Sequence, residues 1–202
     1  MKVSIIIPYN KDRGYLDQAI MSIEQQSYKN YEIIESHSKH GVSYNLNKGI
    51  KKATGDIIRY LCDDDMLPVD SLLHTVNNFG TNDFIHSNAI NFQSVELCHV
   101  VKPAVIKPTL PIMLLKNCIH GGSVAYHARI FQDGHRFDES LFTAEEYDFN
   151  LKLFSLGYHI GYVNEVTYLY RRHKLQKSVG NKDAQYQKLR EHEVFKIQSR
   201  YR

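Results

Sequence analysis

The chain has 202 residues, 43% hydrophobic and 23% charged, which suits one globular domain and excludes a disordered chain. A net charge of only +3 argues against bulk nucleic-acid binding. No run of ~18 uncharged apolar residues occurs, so no membrane span is expected, and the opening MKVSIIIPYN lacks the length and cleavage site of a secretory signal. Cys62, Cys98 and Cys118 are too scattered for a disulfide framework or a zinc pattern, so a reducing, cytoplasmic setting is expected.

Residues 3–7 form a β-branched apolar run stopped by Pro8, which predicts a strand buried on both faces. After Gly14, the stripe Leu16, Ala19, Ile20, Ile23 predicts a helix. Residues 31–35 read as a second strand. Val42, Leu46, Ile50 and Ala53 mark a second helix, ended by Gly55. Residues 57–62 read as a third strand, Val69 to Val76 as a third helix and 83–87 as a fourth strand. This alternation predicts an α/β domain with a mostly parallel central sheet, whose ligands bind at the carboxyl ends of the strands. The second half is more mixed. Residues 95–109 read as extended, 111–117 and 145–156 as helical, and 123–127, 158–163 and 166–171 as strands. A terminal helix is expected over 182–198.

Four motifs carry chemistry. Asp63-Asp64-Asp65 follows the third strand, and three adjacent carboxylates repel unless something compensates. A hard divalent cation would do so, and an acidic turn before Pro68 is the plainer reading. Glu145-Glu146 opens a helix, where acidic residues favour the dipole but can also present a base to a cleft. His120-Gly121-Gly122-Ser123 either lets backbone approach a ligand or makes a plain turn. Tyr170-Arg171-Arg172-His173-Lys174 with Ser178 is either solvated or a charge clamp for phosphates. Residues 171–202 hold ten Lys or Arg against three Asp or Glu, a tail that is either a solvated face or meets an anionic partner. Dinucleotide, phosphate-loop, nucleophile-elbow and zinc-helix motifs are absent.

In this order the motifs resemble a family 2 glycosyltransferase with the GT-A fold over roughly residues 1–178. The opening strand to Asn10, the stretch from Leu16 to Tyr28, Asn47-Lys48-Gly49-Ile50, the aspartate triplet, Glu145-Glu146 and the Tyr170–Ser178 signature carry the resemblance. It implies a single GT-A domain over 1–178 and a basic helical extension over 179–202. It implies inverting transfer from a nucleotide-diphosphate sugar, with a UDP-sugar the expected donor, to an acceptor hydroxyl on a glycan or lipid-linked saccharide. Glu146 would be the base, with Glu145 beside it. Asp64 and Asp65, with His173, would hold Mn²⁺ or Mg²⁺. Pro8, Tyr9, Asn10, Glu35, Asn47, Asp63 and Asp64 would contact the donor nucleotide. Gly121 and Gly122 would face the donor sugar or acceptor, and Arg172 and His173 the diphosphate. Cys62 stands at the first acidic position, which leaves the register of the aspartates open by one. Asp148 is a fallback base. The alternative is a non-catalytic sugar-nucleotide or glycan-binding module. For the tail, peripheral contact with the inner face of a membrane, a dimer contact and a solvated helix are the readings weighed.

Overall fold

The computed structural model describes residues 1–93, 98–174, 176 and 184–202. Strand and helix alternate through the first half: β1 (Val3–Tyr9), α1 (Leu16–Glu24), β2 (Tyr31–His37), α2 (Val42–Ile50), β3 (Ile57–Tyr60), α3 (Ser71–Phe79) and β4 (Phe84–Phe92). The second half adds β5 (Cys98–Val101), α4 (Leu110–Leu115), β6 (Ala125–His127), α5 (Ala128–Gln132), α6 (Glu145–Ser155), β7 (Ile160–Arg171) and α7 (Ala184–Arg200). No helix among the described residues is long and apolar enough to cross a membrane. Ser178 and the 178/179 boundary lie outside the described residues, as do parts of the extended and helical stretches expected over 95–109 and 182–198.

All seven strands form one mixed sheet in the order β2-β1-β3-β6-β4-β5, with β7 also paired to β4. β1 is parallel to β2 and β3, and β4 to β7, while β5 and β6 run antiparallel to their neighbours. Side chains of β1 alternate between layers: Val3, Ile5 and Ile7 join one core cluster and Ile6 the other. α1 and α3 cover the first layer through Ala19, Ile23, Leu72 and Phe79. The other helices cover the second through Leu46, Met113, Phe131, Phe149 and Ile197. Helices therefore flank both faces of the sheet, and the carboxyl ends of β1 and β3 emerge side by side.

Several local expectations change. The stretches 158–163 and 166–171 are one strand, β7, because Asn164 and Glu165 are absorbed by a register shift against Ser87–Ala89 rather than ending the strand. Asn88 Nδ2 donates to Asn164 O across that irregularity, at 2.6 Å. β6 starts at Ala125, because Gly121–Ser123 make a single 3₁₀ turn. α5, five residues long, is too short to show a helical period. α2 ends at Ile50, and Gly55 serves close approach instead of a cap: a Cβ there would lie 2.8 Å from Lys2 O. Val69 precedes α3 and is 56% exposed.

Candidate active site

A cleft of about 1070 Å³ opens over the carboxyl ends of β1 and β3. Its far wall is the first turn of α6, with the C-terminal helix α7 beside it. The structure brings ten of the sequence-predicted site residues to this cleft: Pro8, Tyr9, Asn10, Asp63, Asp64, Asp65, Gly121, Gly122, Glu145 and Glu146.

The acidic loop is buried, with Asp63, Asp64 and Asp65 at most 7% exposed. Each aspartate has its own surroundings. Arg13 Nη2 donates to Asp63 Oδ1 at 2.9 Å and to Asp64 Oδ2 at 3.3 Å. His173 Nε2 lies 3.0 Å from Asp64 Oδ2. Asp65 accepts from the Tyr168 hydroxyl at 2.6 Å and from the Arg171 backbone N–H at 2.8 Å. Arg171 also fixes the loop from outside. Its Nε donates to Asp64 O at 2.8 Å, and its guanidinium lies over the rings of Tyr15 and Phe92.

A divalent cation fits this loop on two observations. Cys62 Sγ and one oxygen each from Asp64 and Asp65 lie within 4.8 Å of one another. Asp63 Oδ2 is buried with no hydrogen-bond partner. Burial, reinforced by Asp65 and Asp64, pushes the Cys62 thiol well up, and of the group's donors it is the carboxylate oxygens that suit a hard ion. Burial, with Asp64 beside it, also holds the Asp65 carboxyl well above the usual carboxylate range in the metal-free protein, so a cation bound there would displace its proton.

Burial raises the Asp63 carboxyl, Arg13 draws it down and Asp64 raises it again, leaving it at about 6. An acid raised on folding binds more protons folded than unfolded between its two pKa values. Its contribution to stability therefore falls as pH rises from about 4 to about 6. Asp63→Asn removes this titration. Across that window, denaturant melts of metal-free protein should show the parent losing on the order of 2–3 kcal/mol relative to the variant. A difference that stays constant with pH would contradict the assignment.

Glu146 is partly buried in the first turn of α6, and the Tyr60 hydroxyl donates to its Oε1 at 3.2 Å. Gly121 makes room for this pair, since a Cβ there would lie 3.2 Å from the Tyr60 hydroxyl and 3.3 Å from Glu146 Cδ. Glu145 is 7% exposed. Asp148 is turned away from the cleft and accepts from Arg200 at 3.2 Å and from the Tyr201 hydroxyl at 3.1 Å. Gly122 has a tertiary cause that sequence spacing does not carry: a Cβ would fall 2.2 Å from the Tyr168 ring. Gly122→Ala must displace the ring whose hydroxyl holds Asp65, at a cost of about 1–3 kcal/mol. A lower melting temperature is expected, and an unchanged one would contradict the packing argument.

Four predicted residues sit elsewhere. Glu35 is exposed beyond the cleft lining and accepts from the Tyr9 hydroxyl at 3.0 Å. Asn47 is 5% exposed and ties down the loop before α6, donating to Phe137 O and Glu139 Oε1. Arg172 lies over the Tyr170 ring. His173 meets the acidic loop at Asp64 and packs at a tilt against Tyr15, outside the Cys62, Asp64 and Asp65 group. Sequence reasoning passed over Arg13, Tyr60 and Tyr168. Arg13 carried a signal, since it lies in the loop leaving β1 at its carboxyl end. The two tyrosines are strand residues whose partners become visible only on folding.

Residues 33–198 match the family model described as glycosyl transferase family 2. The uncharacterized glycosyltransferase RC0461 of Rickettsia conorii is 29% identical over 194 residues, covering 77% of this chain and 32% of that protein. The chain spans between 28% and 65% of the length of the curated relatives it matches. TarS 1–349 of S. aureus, solved in complex with UDP-GlcNAc, superposes with a TM-score of 0.70 at 15% identity, covering 87% of this chain and 60% of that one. A mannosyltransferase of Pyrobaculum calidifontis, solved with GDP-Man and Mn²⁺, gives 0.65 at 14% identity over 89% and 59%. At such identities the likeness is one of fold.

Proposed function

This chain belongs to glycosyl transferase family 2, and on that premise we propose that it transfers a sugar from a nucleotide-diphosphate donor to an acceptor hydroxyl, with inversion. The observation that carries the reading is the meeting, in one cleft, of the acidic loop after β3 with Glu146 on α6. Glu146 takes the proton of the acceptor hydroxyl as that oxygen attacks the anomeric carbon. Tyr60, donating to Glu146 Oε1, holds the carboxylate in one orientation. A single displacement of this kind inverts the anomeric configuration. Asp64 and Asp65 would hold Mn²⁺ or Mg²⁺, which would supply Lewis-acid neutralisation of the charge on the leaving diphosphate. Arg13 and His173, both in contact with Asp64, orient that carboxylate. Pro8, Tyr9 and Asn10 form the nucleotide side of the cleft. A UDP-sugar is the donor we favour, since one fold neighbour was solved with UDP-GlcNAc. The acceptor is a saccharide hydroxyl, free or lipid-linked.

A second reading, a binding module without turnover, is favoured by one observation: Glu35 turns to Tyr9 and lies off the cleft. Turnover separates the two. The protein is incubated with Mn²⁺ and each of UDP-GlcNAc, UDP-glucose, UDP-galactose and GDP-mannose, and release of the nucleotide diphosphate is followed. Release from one donor above the protein-free rate is expected. No release from any of them would favour the binding module.

A further inference from the structure

We infer that α7 is built into the catalytic centre, and that Glu193 is the positioning residue that sets the segment bearing Glu146. The inference rests on the reading of Glu146 as the base.

Glu193 spans two consecutive backbone amides of the loop entering α6. Its Oε1 accepts from Phe142 N–H at 3.0 Å and its Oε2 from Thr143 N–H at 2.8 Å. Both bonds are charge-assisted, and together they fix the direction of the loop as well as its position. The Thr143 hydroxyl lies 3.2 Å from the hydroxyl of Tyr186, a second hold from the same helix. The next residue, Ala144, has φ 61° and ψ 26°, and among the described residues it alone is a non-glycine with positive φ. L-residues rarely adopt this conformation, so the surroundings must impose it. Glu146 follows two residues later.

The far side of Glu146 is held by the same helix. Gln198 Nε2 donates to the Tyr147 hydroxyl at 3.2 Å and to Leu114 O at 2.9 Å. Arg200 Nη1 donates to Asp138 Oδ2 at 2.8 Å and to Asp148 Oδ1 at 3.2 Å. Ile197, fully buried, anchors α7 to the core. The contacts of α7 thus fall on residues 142, 143, 147 and 148, on both sides of Glu146. Tyr186, Arg190, Val194 and Gln198 also line the cleft. Glu193 itself is only partly buried, so its effect is local rather than one on the whole fold.

The test compares Glu193→Ala and Glu193→Gln with the parent in three measurements. The first is calorimetric titration of UDP with Mn²⁺. The second is the kcat and KM of release from whichever nucleotide sugar the parent turns over. The third is hydrogen exchange of the Phe142 and Thr143 amides. For Glu193→Ala we expect unchanged nucleotide stoichiometry and donor KM, with a kcat about 10²-fold lower, as an ångström-scale misplacement of a base produces. The two amides should exchange about 10-fold faster or more. Loss of stability alone would instead reduce the binding stoichiometry in step with kcat. A kcat within twofold of the parent, or unchanged exchange at both amides, overturns the inference. If the alanine variant does not fold, Glu193→Gln, which keeps one carbonyl acceptor, is expected to show the same changes at smaller size, and their absence overturns it. If the parent turns over no donor, the assignment of Glu146 fails on its own. Exchange then still decides whether Glu193 sets this segment: faster exchange at residues 142–148 supports it, and unchanged exchange contradicts it.

Discussion

Glu146→Gln is expected to bind nucleotide with the affinity of the parent and to lose ~10²–10⁴-fold in kcat, the usual contribution of a general base. The substitution keeps the shape of the side chain and leaves an amide oxygen to accept from the Tyr60 hydroxyl, as Glu146 Oε1 does at 3.2 Å. What it removes is the ability to take a proton. The acidic loop is a separate part of the cleft, held by Arg13, Tyr168 and Arg171, and none of these touches Glu146 in the contacts described above. Binding and chemistry should therefore separate, with KM for the donor unchanged and kcat lost. Transfer by Glu146→Gln at the parent rate would show that another group is the base. Asp148 is poorly placed to be that group, since Arg200 and Tyr201 already occupy it on the side away from the cleft.

Asp64→Ala should abolish the dependence of nucleotide binding on Mn²⁺ and weaken binding by ~100-fold or more, since even residues that merely support a metal ligand cost 10–100-fold. Asp64 is central in the loop. Its carboxylate meets Arg13 and His173, and it belongs to the group whose donor atoms lie within 4.8 Å. Asp63 differs, because Arg13 engages its Oδ1 and it stands outside that group. Asp63→Asn, which keeps one oxygen on the loop, is accordingly expected to weaken the metal dependence less than Asp64→Ala does, and calorimetry of the two variants side by side reads the difference. Equal loss in both would place the metal on the Asp63–Asp64 pair.

The elements that position the cleft were legible because their signals are local. The β1 run, the helical stripe of α1 and the acidic triplet after β3 each follow from periodicity or from charge crowding within a few residues. Glu145-Glu146 at a helix start was legible for the same reason. The supports of the site were not, because they are made by residues far apart in sequence. Tyr168 reaches Asp65 across 103 positions, and Asn47 reaches Phe137 across 90. Gly122 reads as an adaptable turn, yet the Tyr168 ring leaves no room for a side chain there. The tail shows the same limit. Its charge was read as a solvated face or a surface for an anionic partner, and neither reading foresaw that Arg200 pairs with Asp138 and Asp148 of the same chain or that Glu193 pairs with the loop before α6. Composition records how many charges a segment holds, not which of them the fold consumes.

The most direct measurement is calorimetric titration of the parent protein with UDP and with GDP, each in Mn²⁺ and again in EDTA. Binding of one of the two nucleotides in Mn²⁺, lost in EDTA, is the predicted result. Binding that is indifferent to EDTA, or no binding of either nucleotide, would contradict a metal-dependent donor site on the Asp63–Asp65 loop.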